Sequence, residues 1–412
     1  MRLARLLASV LLLLTVLPVV TWSAGHVHAA DPESVWTRTL GDRVWSVATG
    51  PVGSVYVAAT RQPPDGSWDP VLLVRRYEAD GDVVWTRRWD PDRGGINDAD
   101  VAVGPGSHIA VAGTGTCDLY AECYVPYLRV YEPDGDVAWT HARGLRGKSH
   151  HARRIAQYSG VVVTEDAVIV SAHCCGYGDT DGWLGSYELD GDLRWTRDLV
   201  IPGSRRWNDA PMAIAAASRG DLFVVGWVAR GSEGFKQPAD HDAFVQRLDP
   251  SGDVRWTRVL PDRRRFDADT ATTVAVREGR LAVGGRRVLH DHVTGTIWLA
   301  ALSARGTPSW TRRWGSCELF YHCMPAVAIR RSSAIEVSST IRDPSGPGLD
   351  ASLRRYTSSG RLRWRSRLSD EETFPYATHV AVAGRHVVYV AGFVGGGGHE
   401  SGGVGHLWRL DA

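Results

Sequence analysis

Lysine is nearly absent from this 412-residue chain: of its 47 basic residues only Lys148 and Lys236 are lysines, and the other 45 are arginines. We read this first as the codon bias of a GC-rich genome and second as chemistry. Acids number 46, so the formal net charge is +1, and nothing in that balance suits nucleic acid as the main partner. A helical period is missing too: past the N-terminus no segment repeats its apolar residues at helical spacing. No later apolar run is long enough to span a bilayer. The sequence has no Walker loop, no HExxH pair and no recognisable Ser-His-Asp arrangement, which removes the nucleotide-binding, zinc-protease and hydrolase classes that such motifs announce. No cofactor and no resident metal are expected.

The first residues read as a targeting segment. Arg2 and Arg5 form a basic start, residues 6–20 an apolar run, and Val27-His28-Ala29 a small-residue cleavage pattern, which places the cut after Ala29. A retained membrane anchor is the alternative, against which stands a run shorter than the roughly 20 residues a spanning helix needs. Residues 30–412 are then expected to form one domain, secreted or periplasmic, and a monomer. Six cysteines in an exported chain favour disulfides over metal sites or catalytic thiols. Cys117 and Cys123 share one loop, Cys317 and Cys323 another, and each pair can close locally. Cys174-Cys175 remains, either as a vicinal disulfide or as two buried thiols.

What is present in abundance is one motif. Residues 187–197, YELDGDLRWTR, read as a β-hairpin in which Gly191 supplies the positive φ of the turn. The same pattern ends at Arg87, His141, Arg258, Arg312 and Ser366. The equivalent tryptophans, Trp36, Trp85, Trp139, Trp195, Trp256, Trp310 and Trp364, recur at intervals of 49 to 61 residues. Each unit holds four short apolar segments, so seven units predict an all-β, seven-bladed β-propeller of four-stranded antiparallel blades. The last unit lacks a final WTR strand and the chain starts with an orphan one at residues 34–38. Pairing the two closes blade seven and removes an exposed edge; an open solenoid is the alternative. The tryptophans are expected to pack between sheets. The recurring Asp69, Asp181, Asp242 and Asp350 are expected to serve strand starts, and Asp179-x-Asp181-Gly182 matches a calcium loop only in part.

Units such as NDAPMAIAAASRGDLFVVGW (208–227) followed by HDAFVQRLDPSGDVRWTRVL (241–260) resemble the secreted bacterial seven-bladed β-propeller repeat proteins. The resemblance covers residues 34–412. It implies the fold and no single activity. A second resemblance, to the quinoprotein dehydrogenases, rests on the Trp-ending repeat and on Cys174-Cys175. The chain departs from that pattern in its shorter hairpin, in having no Asp-x-Thr-Gly before the tryptophans, and in seven blades where eight are expected.

Connection parity separates two faces. Turns after strands one and three are short, whereas connections after strands two and four are long and irregular, and long loops on a rigid scaffold are where binding resides. Aligning the innermost strands puts Asp42, Asn97, His151, Asn208, Thr270, Cys323 and Tyr376 at one level of the central mouth, with Asp98 and Asp209 following and His150 beside them. These are read as a polar ligand-binding mouth or as repeat chemistry capping the strand starts. His290-x-His292 lacks a third ligand at metal spacing. Arg153, Arg154, Arg205, Arg206, Arg263 and Arg264, with Arg286 and Arg287, form a basic sector over blades three to five. It suits an acidic glycan or a protein partner, or is a solvated arginine surface neutralised by acids such as Asp269. The reading is a binding scaffold; the rival is a glycan-cleaving enzyme or quinone-dependent dehydrogenase with its site at the mouth.

Overall fold

The computed structural model describes residues 33–40, 43–62, 70–91, 95–116, 124–142, 156–174, 180–202, 208–229, 241–260, 268–288, 294–318, 324–342, 349–368, 375–394 and 404–411. Among them are 28 β-strands and one short 3-10 turn, Pro51–Gly53. The strands make seven antiparallel four-stranded blades arranged in a ring, a seven-bladed β-propeller. The innermost strands are Arg43–Thr49, Ile96–Val103, Ala156–Val163, Asn208–Ala216, Ala268–Arg277, Ala326–Ile329 and Pro375–Ala383. Blade seven closes as expected. Its outermost strand is Glu33–Thr39, which pairs antiparallel with Val404–Asp411, Ser34 opposite Leu410 and Thr37 opposite Trp408.

A twisted sheet with two apolar faces must bury both, so the core is divided among the gaps between blades. Between blades one and two it is Tyr56, Leu72, Val74 and Trp85 against Ile96, Val101, Tyr127 and Tyr131. Between blades seven and one it is Tyr389, Ala391 and Leu407 against Val44, Val47, Val55 and Tyr77. Equivalent clusters fill the other gaps.

The recurring motif explains itself at these gaps. The indole N–H of each WTR tryptophan donates to a backbone carbonyl in the hairpin of the next blade: Trp139 to Leu189 at 2.7 Å, Trp310 to Ser358 at 2.9 Å, Trp256 to Ala304 at 3.1 Å. Trp36, Trp85 and Trp195 do the same at longer range, to Ala79, Pro133 and Pro250. The arginine two residues on reaches the same turn, Arg38 to Gly81, Arg87 to Gly135 and Arg312 to Gly360, each at 2.8 Å; His141 substitutes for it against Gly191 at 3.0 Å. The hairpin glycine must be glycine twice over. Gly360 has φ +81, and a Cβ there would lie 2.5 Å from the ring of Trp310. DG and WTR are therefore two halves of one inter-blade latch, supplied by successive units. Trp364 makes no such bond among the described residues, because the outer strands of blade seven come from opposite ends of the chain and no hairpin joins them.

Candidate functional site at the propeller mouth

The cross-strand register fixes which residues share a level at the start of the innermost strands. Partners Thr60, Thr114, His173, Trp227, Arg286 and Phe393 place Arg43, Asp98, Gln157, Ala210, Thr270 and Tyr376 together. Thr270 and Tyr376 sit where the sequence alignment puts them. In blade two the level falls on Asp98 instead of Asn97, in blade one on Arg43 instead of Asp42, in blade four on Ala210 instead of Asn208, and in blade three on Gln157, six residues beyond His151. In blade two the reason is a displaced β-bulge. Five of the innermost strands shift register one residue inside this level, between Val44 and Ser46 in blade one for example, but in blade two the shift comes earlier, between Ile96 and Asp98. Loop lengths add the rest. Asn208 instead pairs with Thr180 of blade three, and Asp181 with Asp209.

Blades seven and one carry an aromatic and cationic cluster at this level. Tyr376 stacks on Phe393 with ring centroids 4.7 Å apart. The guanidinium of Arg43 lies 5.0 Å from the Phe393 ring and 5.4 Å from that of Trp45, within cation–π range of both. Trp45 is held by its indole N–H, which donates to Thr60 Oγ1 at 2.8 Å. All four side chains are half-buried, so each keeps a solvent-facing part. Burial pushes the Tyr376 phenol above its ordinary range, opposed by the Arg43 charge. Register puts Arg43 and Tyr376 on strand starts and Phe393 near a strand end, all three toward the long connections.

Deeper in, three blades meet through Ser46, Asp100 and His379. The buried Ser46 hydroxyl donates to Asp100 Oδ1 at 2.7 Å and lies 2.7 Å from His379 Nδ1. It also accepts the Val101 N–H at 3.3 Å, while Asp100 Oδ2 accepts the N–H of Val161 in blade three at 3.2 Å. The sequence shows no Ser-His-Asp arrangement, yet the fold assembles these three types from positions far apart. The polarity is wrong for a nucleophile. With its proton directed at Asp100, Ser46 receives a hydrogen bond from the histidine, the reverse of the transfer that activates a serine. The cluster ties blades together. Burial lowers the His379 pKa, and Asp100 pulls the other way. Asp98 touches channel solvent, but the surrounding blades exclude bulk water over a wide angle. That crowding, with the Asp100 charge adding to it and the Thr114 N–H at 2.8 Å opposing, pushes its carboxyl up to about 6.

One arginine of the basic sector is seen to be neutralised. Arg287 makes a bidentate pair with Asp269, Nε to Oδ1 at 2.9 Å and Nη2 to Oδ2 at 2.8 Å, with both side chains buried. Arg287 is thus withdrawn from the surface by the local neutralisation that the sequence allows. Asp209 is buried, and its Oδ2 accepts the Ile201 N–H at 3.2 Å. Asp350 is buried against Arg365 and Arg367 of the neighbouring strand. Asp42, His150, His151, Arg153, Arg154, Arg205, Arg206, Arg263 and Arg264 lie outside the described residues, as do Cys117, Cys123, Cys175 and Cys323. Cys174 and Cys317 are placed by their backbones only, opposite Ala156 and Gly295. Among the described residues no group of three or more His, Cys, Asp or Glu side chains could hold a metal ion, and no helix is long and apolar enough to cross a membrane.

Sequence reasoning missed Arg43, Trp45, Phe393, Ser46, Asp100 and His379. No protein-family model matches the sequence, and no curated protein matches it. Solved structures do. A Dyadobacter fermentans protein of unknown function is 10% identical over 92% of this chain and 99% of its own, with a TM-score of 0.52. A Trypanosoma rangeli sialidase in complex with the inhibitor DANA is 10% identical over 92% of this chain, with a TM-score of 0.51. This chain spans only 60% of that sialidase. Likeness at such identity establishes the propeller fold and nothing about chemistry.

Proposed function

We propose that this propeller is an exported binding scaffold that takes an acidic glycan at the loop-rich end, between blades seven and one. The observation that carries the reading is Arg43 held between the faces of Trp45 and Phe393, with Tyr376 stacked alongside. Flat half-exposed rings offer stacking surface to a sugar, and an arginine fork suits carboxylate or sulfate. The arginines of the blade three to five loops would extend the contact along a charged polymer. The test is retention of the protein lacking residues 1–29 on an anionic-polysaccharide column. Retention should fall as salt shortens screening to about 8–10 Å, and R43S or W45A should reduce it sharply. Unchanged retention in both variants refutes the site, and binding to a protein column alone would assign the face to a protein partner.

One observation favours a second reading, glycan cleavage: Asp98, at the same level, is held protonated to about pH 6 and could act as a proton donor. Hydrolysis of a glycoside by the wild type, lost in D98N with binding retained, would move the assignment to an enzyme.

A further inference from the structure

The gap between blades six and seven opens, on the short-turn face opposite the mouth, into a cavity of about 820 Å³. The corresponding cavity between blades five and six has about 340 Å³. The two are walled alike, by the short turns of both blades and the hairpin of the earlier one. They differ in one wall: Ser358, from the hairpin of blade six, closes the smaller cavity, and blade seven has no hairpin to close the larger. The chain also omits the matching half of the latch. Where five of the other units read Trp-Thr-Arg and blade two reads Trp139-Thr140-His141, blade six reads Trp364-Arg365-Ser366.

Arginines replace what is missing. Arg330 donates from Nη1 to the Arg385 carbonyl at 2.5 Å and from Nη2 to the His386 carbonyl at 3.3 Å, joining the two blades. Glu336, fully buried, is shared by Arg330 and by Arg355 Nε at 2.6 Å, so the carboxylate of this cluster is already used. Arg331, Arg363 and Arg385 line the cavity, are exposed, and pair with no carboxylate among the described residues. His386 stands beside them, exposed.

We infer that this cavity binds a small multivalent oxyanion, a molecule carrying two or more phosphate or carboxylate groups. Its size falls in the range of ligand sites, and three guanidinium groups with no carboxylate partner among the described residues make it a place for negative charge. The site is on the opposite face from the proposed glycan mouth and does not depend on it.

The experiment is titration calorimetry of the protein lacking residues 1–29 with tripolyphosphate and, separately, with citrate. At least one should bind, and which one does distinguishes the phosphate from the carboxylate source. The triple variant R331S/R363S/R385S should bind about tenfold more weakly or worse, since charge-assisted contacts are lost. R219S, an exposed arginine in a short turn of blade four, should bind as wild type. The lysine triple variant R331K/R363K/R385K, which keeps the charge, should recover part of the affinity and guards against a folding defect. Binding of neither anion, or equal losses in the serine triple variant and R219S, overturns the inference.

Discussion

Replacing Gly360 with alanine tests the latch, and Gly53→Ala is its control. Both glycines have positive φ, +81 and +84, so alanine pays the same left-handed backbone cost at each, about 1–2 kcal/mol. The smaller gain from a stiffer unfolded chain is also common to both and cancels in the difference. The surroundings differ. Nothing lies within 4 Å of a Cβ at Gly53, whereas at Gly360 the Trp310 ring is 2.5 Å away. Relieving that contact means moving the indole or the turn, and both are held, by Trp310 Nε1 to Ser358 O at 2.9 Å and Arg312 Nε to Gly360 O at 2.8 Å. Overpacking of this kind adds about 1–3 kcal/mol, and weakening the two bonds about 0.5–1.5 kcal/mol each. Gly360→Ala should therefore cost about 3–8 kcal/mol against about 1–2 for Gly53→Ala. Urea unfolding followed by tryptophan fluorescence measures both. Equal midpoints for the two variants would mean that the hairpin glycine serves its turn alone and that the latch contributes nothing.

Deleting residues 30–40 removes the outermost strand of blade seven together with the Trp36 and Arg38 bonds to blade one, and should lower the melting temperature; melting like the undeleted protein would contradict the closure. His173, whose buried Nδ1 has no hydrogen-bond partner among the described residues, is depressed by burial to about 4. The unfolded chain therefore binds the extra proton below pH 6.5, so this group's stability is full above 6.5 and is lost as pH falls toward 4. H173Q should flatten melting temperature against pH in that window. Asp98 has the opposite sign: raised to about 6, it contributes most below pH 3.8 and loses that contribution as pH rises through 6, so D98N should remove a decline in that range. Mass spectrometry of non-reduced peptides should find Cys117 linked to Cys123 and Cys317 to Cys323, each restraining its loop by about 2–3 kcal/mol; a cross-blade linkage would overturn the pairing.

The fold was legible because its determinant is local and repeated. One tryptophan and one glycine per unit give blade number, strand number and the pairing of residues 34–39 with the last strand. What the tryptophan and glycine do to each other was hidden, since the contact joins the WTR of one unit to the DG of the next. The mouth was less legible for a different reason. Aligning the innermost strands reaches the correct level at Thr270 and Tyr376, where the bulge follows the common pattern. It slips at Asp98 because a displaced bulge moves that strand by a residue, and it slips too at Arg43, Gln157 and Ala210, whose strands carry the bulge in the common place. Ser46, Asp100 and His379 belong to three blades and have no sequence relation that period or spacing could expose. Arg287 looked like surface charge because its partner, Asp269, stands across a strand pair rather than beside it in the chain.

The pairing of Ser34 with Leu410 has a consequence for biosynthesis. The strand Glu33–Thr39 leaves the ribosome long before its neighbour Val404–Asp411. Until that neighbour is made, this strand carries a bare row of N–H and C=O groups beside an exposed Val35, with no partner. Six blades can assemble in order as they emerge, but the ring has to wait, so the half-made protein is a curved open sheet stack with a sticky end at each terminus. Joining those ends within one molecule competes with joining them between two, and the outcome depends on how crowded the nascent chains are.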